Sequence, residues 1–471
     1  METKNTKNIL LSCAVILILS CVCLGLIVVS GIGVSLLWPI NFRQGNVFTP
    51  EPSRTFQAPS APTTPDERQT EIPESLSEEI ETIVMEIETQ VSQIRGLQVQ
   101  ESVPRILMTE EELEDIVVNE FFAEYSDEDA RQDGLVLSLL GLIPTGFDLK
   151  NLYHELYSEQ VSGFYDSETQ EIYILKGISF GGSQKLTYAH EYTHVLQDQV
   201  FDLDEGLNYN EEACEVDSER CAAIQALIEG DASLTEVLWF QTYATRSDYL
   251  DIMQSFETLE SPVLDAAPPF IQEDLYFPYE QGFTFVEYLY DQGGFDAVDA
   301  AYTNPPLSTE QILHPERYPW DQPQTVTLPD LSSVLGRTWS LFDQNIMGEL
   351  YTYFILGLSY DEAYRLPEDQ AKSAAEGWGG DAYAIYLNED TDEVIFLLDM
   401  VWDTAADADQ FATAFTNYAG ARWSYVGQTI ANQPTWQGGE GTVILLHEDE
   451  RTLWVIAPTD ELAEIILLEL Q

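Results

Sequence analysis

His190-Glu191-Tyr192-Thr193-His194 sets two imidazoles and a carboxylate at a spacing suited to metal-assisted hydrolysis. Residues four apart on a helix share a face, so His190 and His194 can grip one metal ion together. Glu191 then points to the open side of the metal, where it can take a proton from a bound water. With five His in 471 residues, the pattern arises by chance in well under about one per cent of comparable chains. A surface helix with two solvated histidines would need polar flanks. Leu186, Ala189, Val195 and Leu196 instead give an apolar background suited to a buried helix.

A tetrahedral catalytic zinc takes a third protein ligand besides water. Val195-Leu196-Gln197-Asp198-Gln199 follows His194 without another histidine, which excludes the metzincin spacing, and His154, His314 and His447 are all distant. Downstream, Glu229 sits in a helical run from about Ser218 to Phe240, on one strip with Cys221, Gln225 and Ala226. A carboxylate among apolar neighbours is costly unless something positive neutralises it, which zinc would do. In so acidic a chain, a solvated surface Glu is the competing reading. Asp231, two residues on, suits holding a ligand histidine's second nitrogen or a nearby backbone group better than binding metal.

These residues resemble the gluzincins, in which H-E-x-x-H on one helix is completed by a glutamate on a later one, as in thermolysin and the membrane aminopeptidases. More narrowly, Thr187 to Leu203, the Ala226-Leu-Ile-Glu-Gly-Asp-Ala232 segment and Pro306 to Pro315 are similar to a largely uncharacterised group of bacterial membrane-anchored metallopeptidases. The resemblance covers roughly residues 163–318. It implies that His190, His194 and Glu229 bind one catalytic Zn²⁺ and that Glu191 is the base; it supplies no substrate. The chain departs from thermolysin-type enzymes at Ser233, where those carry an acid four positions after the glutamate ligand.

The elements that must position these groups follow from patterning. Ile9 to Ser30 is almost unbroken apolar sequence behind Lys4 and Lys7, long enough for the roughly 20 residues a bilayer needs. It predicts a single-pass transmembrane helix with the N-terminus inside and the catalytic part extracellular. A lipoprotein cleavage before Cys21 fits less well, because Leu24 to Val29 would remain hydrophobic after it. Residues 44–73 read as a Pro/Ser/Thr-rich tether. Glu74 to Ile94 is amphipathic, with Ile80, Ile83, Val84, Ile87, Val91 and Ile94 on one face, suited to packing on the catalytic domain rather than to a coiled coil. Thr109 with Glu112 forms a capping box opening a helix to about Glu124.

Gly163-Phe-Tyr-Asp166 and Glu171 to Leu175 read as a hairpin. Its edge either closes the lobe or pairs with an extended peptide. Cys13, Cys21 and Cys23 lie in the apolar stretch, leaving Cys214 and Cys221 as an exported pair that predicts a disulfide. On one continuous helix their Cα atoms would stand about 10.5 Å apart, too far to bridge, so Cys214 belongs in a loop before the Glu229 helix. A second long helix runs from about Phe277 to Gly293, opening at Pro278. Tyr279 on it and His314 before Pro315 are candidate catalytic donors to a developing oxyanion; core packing and turn stabilisation are their ordinary alternatives.

The predicted fold class is therefore α+β. Residues 1–43 form a cytoplasmic stub and transmembrane anchor and 44–73 a linker. Residues 74–375 form a mostly helical zincin-like catalytic domain with a small β-hairpin, and 376–471 a small α+β domain of order β-β-α-β-β-α. The implied function is a zinc-dependent peptidase acting on peptide or protein substrates, with the membrane a partner through its N-terminal helix. The alternative is a catalytically silent zinc-containing surface protein that acts as a binding module. A formal net charge of −63 excludes phosphate-backbone binding, which needs clustered cations, so nucleic acid is no partner. The sequence sets no oligomeric state.

Overall fold

The computed structural model describes residues 77–470, apart from 110, 113–115, 117–124, 161–162, 168, 176–179 and 259–260. The apolar stretch and the tether lie outside the described residues. Among those described, no helix is long and apolar enough to cross a membrane. The predicted membrane-anchored fold class and single-pass localisation are corrected accordingly, to an α+β chain with no described spanning helix. The two longest helices show the physical reason. Ser218–Tyr243 carries Glu229, Asp231 and Glu236, and Pro269–Gly293 carries Glu273, Glu280 and Glu287, charges that hydrocarbon does not tolerate.

The amphipathic segment forms α1 (Glu78–Arg95), with Val84, Ile87 and Val91 buried and Ser77 capping its start. Its apolar face packs on α2 (Gly182–Phe201), the helix bearing both histidines. Thr109 and Glu112 exchange the hydrogen bonds of a capping box, although the predicted continuation to Glu124 falls mostly outside the described residues. The hairpin β2 (Gly163–Asp166) and β3 (Glu171–Leu175) gains β1 (Arg105–Met108) in a three-stranded sheet of order β1-β3-β2. The β1–β3 pairing is parallel. This leaves β2 on the edge beside α2.

The Glu229 helix is α3 (Ser218–Tyr243). Cys214 lies on a short helix, Glu211–Val216, and not in an open loop. The chain turns at Asp217, bringing the Cα atoms of Cys214 and Cys221 to 5.5 Å and closing the disulfide. The helix predicted to begin at Pro278 begins at Pro269, as α4 (Pro269–Gly293), with Pro278 inside it. Proline restricts but does not prevent an interior position once packing holds both sides.

The C-terminal half is larger than its predicted order implies. Beyond β5 (Trp378–Asn388), β6 (Val394–Trp402), β9 (Gly441–Glu448) and β10 (Arg451–Ala457), it holds β7 (Ser424–Ile430) and β8 (Gln433–Gly438), and recruits β4 (Trp339–Asn345) from upstream. Together they make a seven-stranded antiparallel sheet, β4-β5-β6-β10-β9-β8-β7. Helix α5 (Ala405–Arg422) covers one face and α6 (Asp460–Leu470) the other. The Gly377–Asp381 stretch, where the 376–471 segment begins, is tied to the chain upstream of it. Asp381 accepts from the backbone N–H groups of Met347 and Gly348 and from the Trp378 indole, all buried. One core runs without a break from Tyr125 to Ile456.

Helices α3 and α4 cross at their small residues. A Cβ on Gly230 would lie 2.1 Å from the Gly282 carbonyl oxygen, and one on Gly282 would lie 2.2 Å from that of Ala226. Gly230 separates Glu229 from Asp231, so the crossing sets the depth of both carboxylates. Gly230→Ala should destabilise the protein by about 1–3 kcal/mol through this overpacking. Gly134→Ala, in a helix interior with open space around it, should stabilise by up to about 1 kcal/mol. Thermal denaturation compares them, and a Gly230→Ala variant melting no lower than the parent would mean the backbones are not this close.

Candidate metal centre

Helix α2 buries every residue from Tyr188 to Gln197, so both histidines enter the interior on one face. Glu229 meets them from α3. His190 Nε2 lies 3.2 Å and His194 Nε2 3.5 Å from the same oxygen, Glu229 Oε2. His190, His194 and Glu229 thus form a buried group able to hold a metal ion, their ligand atoms within 4.8 Å of one another.

The hydrogen bonds behind the ligands decide which lone pairs face inward. His190 Nδ1 lies 2.9 Å from Glu236 Oε2, so both ring nitrogens of His190 face a carboxylate. Burial pushes this imidazole down to about 4, which leaves it neutral with a single N–H. One proton cannot serve two carboxylates. With the N–H given to Glu236, Nε2 turns a bare lone pair toward Glu229. His194 is oriented by another route. Gln197 Nε2 donates to the Ile228 carbonyl at 3.0 Å and to Asp231 Oδ2 at 2.9 Å. Its Oε1 must therefore accept from His194 Nδ1, 2.7 Å away. His194 Nε2 is buried and has no hydrogen-bond partner.

Burial alone would raise the Glu229 carboxyl, and with the His190 lone pair turned toward it a cation at this point is what would hold it as the anion. Two imidazole nitrogens and one carboxylate oxygen converge on one buried point. That donor set fits zinc, which takes imidazole nitrogen and carboxylate oxygen in a tetrahedral shell.

Glu191 stands apart from the three ligands. Its Oε2 accepts from the backbone N–H of Tyr165 at 3.1 Å. Tyr165 lies on β2, whose other edge pairs with β3, so the outward edge of the strand is aimed at the base. Tyr279 lies beside the ligands, its ring centroid 6.3 Å from that of His190, and is fully buried. His314 does not join the group. Its Nε2 bonds Glu349 Oε1 at 2.9 Å, and it lines a cavity of about 270 Å³ with Glu280, Tyr353 and Lys372. Asp231 does not touch a ligand histidine as its position suggested; it acts on His194 through the Gln197 amide.

Glu236 and Gln197 escaped the sequence reading, although periodicity marks both. Gln197 lies three residues after His194, and Glu236 two turns beyond Glu229 on the same face. A second acidic group, Glu310, Asp321 and Asp403, is also close enough to hold an ion. Arg317 already lies among these carboxylates, ion-paired with Glu310 and 3.7 Å from Asp403.

Comparison with known proteins adds one observation. A family model described as a domain of unknown function, DUF8575, matches residues 338–466. That span begins with β4 and runs into α6, so it follows the seven-stranded sheet and leaves out the metal-competent group. No curated protein and no solved structure matches the chain.

Two substitutions separate ligand from orienting partner. His194→Ala should abolish tight zinc binding, because two remaining ligands rarely retain the ion. Glu236→Ala should leave zinc bound but about 10–100-fold more weakly. Chelator competition measures both, and undiminished affinity in Glu236→Ala would refute its part in setting the His190 tautomer.

Proposed function

We propose that this protein is a zinc-dependent peptidase of gluzincin type, with His190, His194 and Glu229 as ligands and Glu191 as general base. The observation that carries the reading is Glu191, a buried carboxylate on the histidine helix that the ligand set does not use, held by the Tyr165 N–H. When bound, zinc supplies a Lewis acid that polarises the scissile carbonyl and acidifies water. Glu191 Oε2 takes the proton of the attacking water and delivers it to the leaving nitrogen. Tyr279 donates a hydrogen bond to the developing oxyanion. The edge of β2 recognises the main chain of an extended substrate, which favours peptide over ester or sugar. A peptide that takes the Tyr165 N–H also releases Glu191 from it.

The burial of the same residues favours a second reading. His190, His194, Glu229 and Glu191 are each at most 2% exposed, as in a metal site that only holds helices together.

An unbiased peptide-library digest with the zinc-loaded protein distinguishes the two. Glu191→Gln should keep zinc and fold yet lose at least about 100-fold in kcat, since an amide cannot accept the proton. Tyr279→Phe should lower kcat by about 100-fold with little change in KM. A parent protein that binds zinc stoichiometrically but cleaves nothing in the library would select the structural reading.

A further inference from the structure

Arg95, the last residue of α1, is buried to 1% exposure in the middle of the molecule. Its Nε donates to both oxygens of Asp231, at 2.8 and 3.1 Å, and its Nη2 pairs with Asp299 at 2.6 Å. The guanidinium lies 4.6 Å over the Phe295 ring and 5.9 Å from that of Phe201. Asp231 accepts two further bonds at Oδ2, from the Tyr302 hydroxyl at 2.9 Å and from Gln197 Nε2. The Gln197 carbonyl in turn accepts from His194 Nδ1.

A continuous series of hydrogen bonds therefore joins α1 to a ligand atom: Arg95, Asp231, Gln197, His194. Each link has one workable polarity. Arginine only donates and the Ile228 carbonyl only accepts, so the Gln197 nitrogen gives one N–H to Ile228 and the other to Asp231. That orientation leaves the Gln197 oxygen for His194 Nδ1 and keeps the His194 Nε2 lone pair directed inward.

We infer that Arg95 is a positioning residue of the metal centre and that α1 belongs to the site rather than merely covering it. Docking of α1 brings in the guanidinium that holds both Asp231 oxygens aligned beside Gln197. Undocking it removes the Nε contact to both oxygens that fixes the Asp231 side chain. The Gln197 amide then keeps only the Ile228 carbonyl of its two acceptors, and its hold on His194 loosens. Metal affinity is in this way coupled to the seating of α1. The Glu236 branch on His190 is independent of it.

This inference rests on the metal centre proposed above, and its test reads zinc affinity and a Co²⁺ spectrum, not turnover. Zinc dissociation constants are measured on the full chain for the parent, Arg95→Met, Gln197→Leu and the double variant, with circular dichroism reporting the fold. Arg95→Met should weaken zinc by about 10-fold or more and shift the visible Co²⁺ bands, and Arg95→Lys should recover part of the loss. In the Gln197→Leu background, Arg95→Met should have no further effect, whereas its effect should persist in Glu236→Gln. Should Arg95→Met fail to fold, Asp231→Asn removes the same charge pair at constant shape and takes its place in the cycle. Unchanged affinity in Arg95→Met, or an equal loss with and without Gln197, overturns the inference. A parent protein that takes up no zinc overturns the metal centre itself, a result distinct from either.

Discussion

Two neutral imidazole nitrogens and a carboxylate oxygen that face one another inside a protein repel unless a cation lies among them. This constraint organises the helical half of the molecule. His190 and His194 come from α2, Glu229 from α3, and the two helices must present single positions to one point with their backbones held apart by a set distance. Helix α4 enforces that distance from one side, where Gly230 and Gly282 let it approach α3 as closely as backbone allows. From the other side α1 seals the same pair, with Val84, Ile87 and Val91 in the core and Arg95 on Asp231.

A chain with 82 acidic residues against 19 basic ones must bury some carboxylates without salt bridges. It does so with fixed donors. Asp381 is satisfied by two backbone N–H groups and an indole, and Glu219 by the N–H and hydroxyl of Thr309. Against this background the lone pairs around Glu229 differ in kind, because their neighbours are themselves acceptors. Arg95 is likewise unusual, a buried cation that donates to Asp231, which also accepts from Gln197.

The seven-stranded sheet is continuous with the helical core, not a separate lobe. Phe396 and Leu398 of β6 face the shared core, while Ile395 and Leu397 face the layer under α6. Both faces of the strand are therefore buried, and α5 fills the space between sheet and helices. His447 on β9 stands 3.5 Å from Asp409 on α5, an arrangement that fits the structural part a lone strand histidine usually has.

Local signals made much of the site legible. The i, i+4 histidines, the intervening base and an acid inside an apolar helix are short-range patterns, and α1, α2, α3 and the hairpin lie close to where periodicity put them. The Cys214–Cys221 pairing followed from their being the two cysteines outside the apolar stretch, and the reach of a disulfide set Cys214 off the Glu229 helix. Sequence alone did not determine what depends on distant partners. It could not choose between Tyr279 and His314, because only packing brings one against His190 and gives the other to Glu349. Nor could it find β4, whose pairing with β5 spans two helices, or carry α4 back through Pro278, where tertiary contacts override the local restriction. The Asp231 role turned on Arg95, 136 residues away, and no periodicity within one element records a hydrogen bond between two. Side-chain spacing along the chain determined the chemistry on offer; the crossing of α1, α2, α3 and α4 decided which atoms meet.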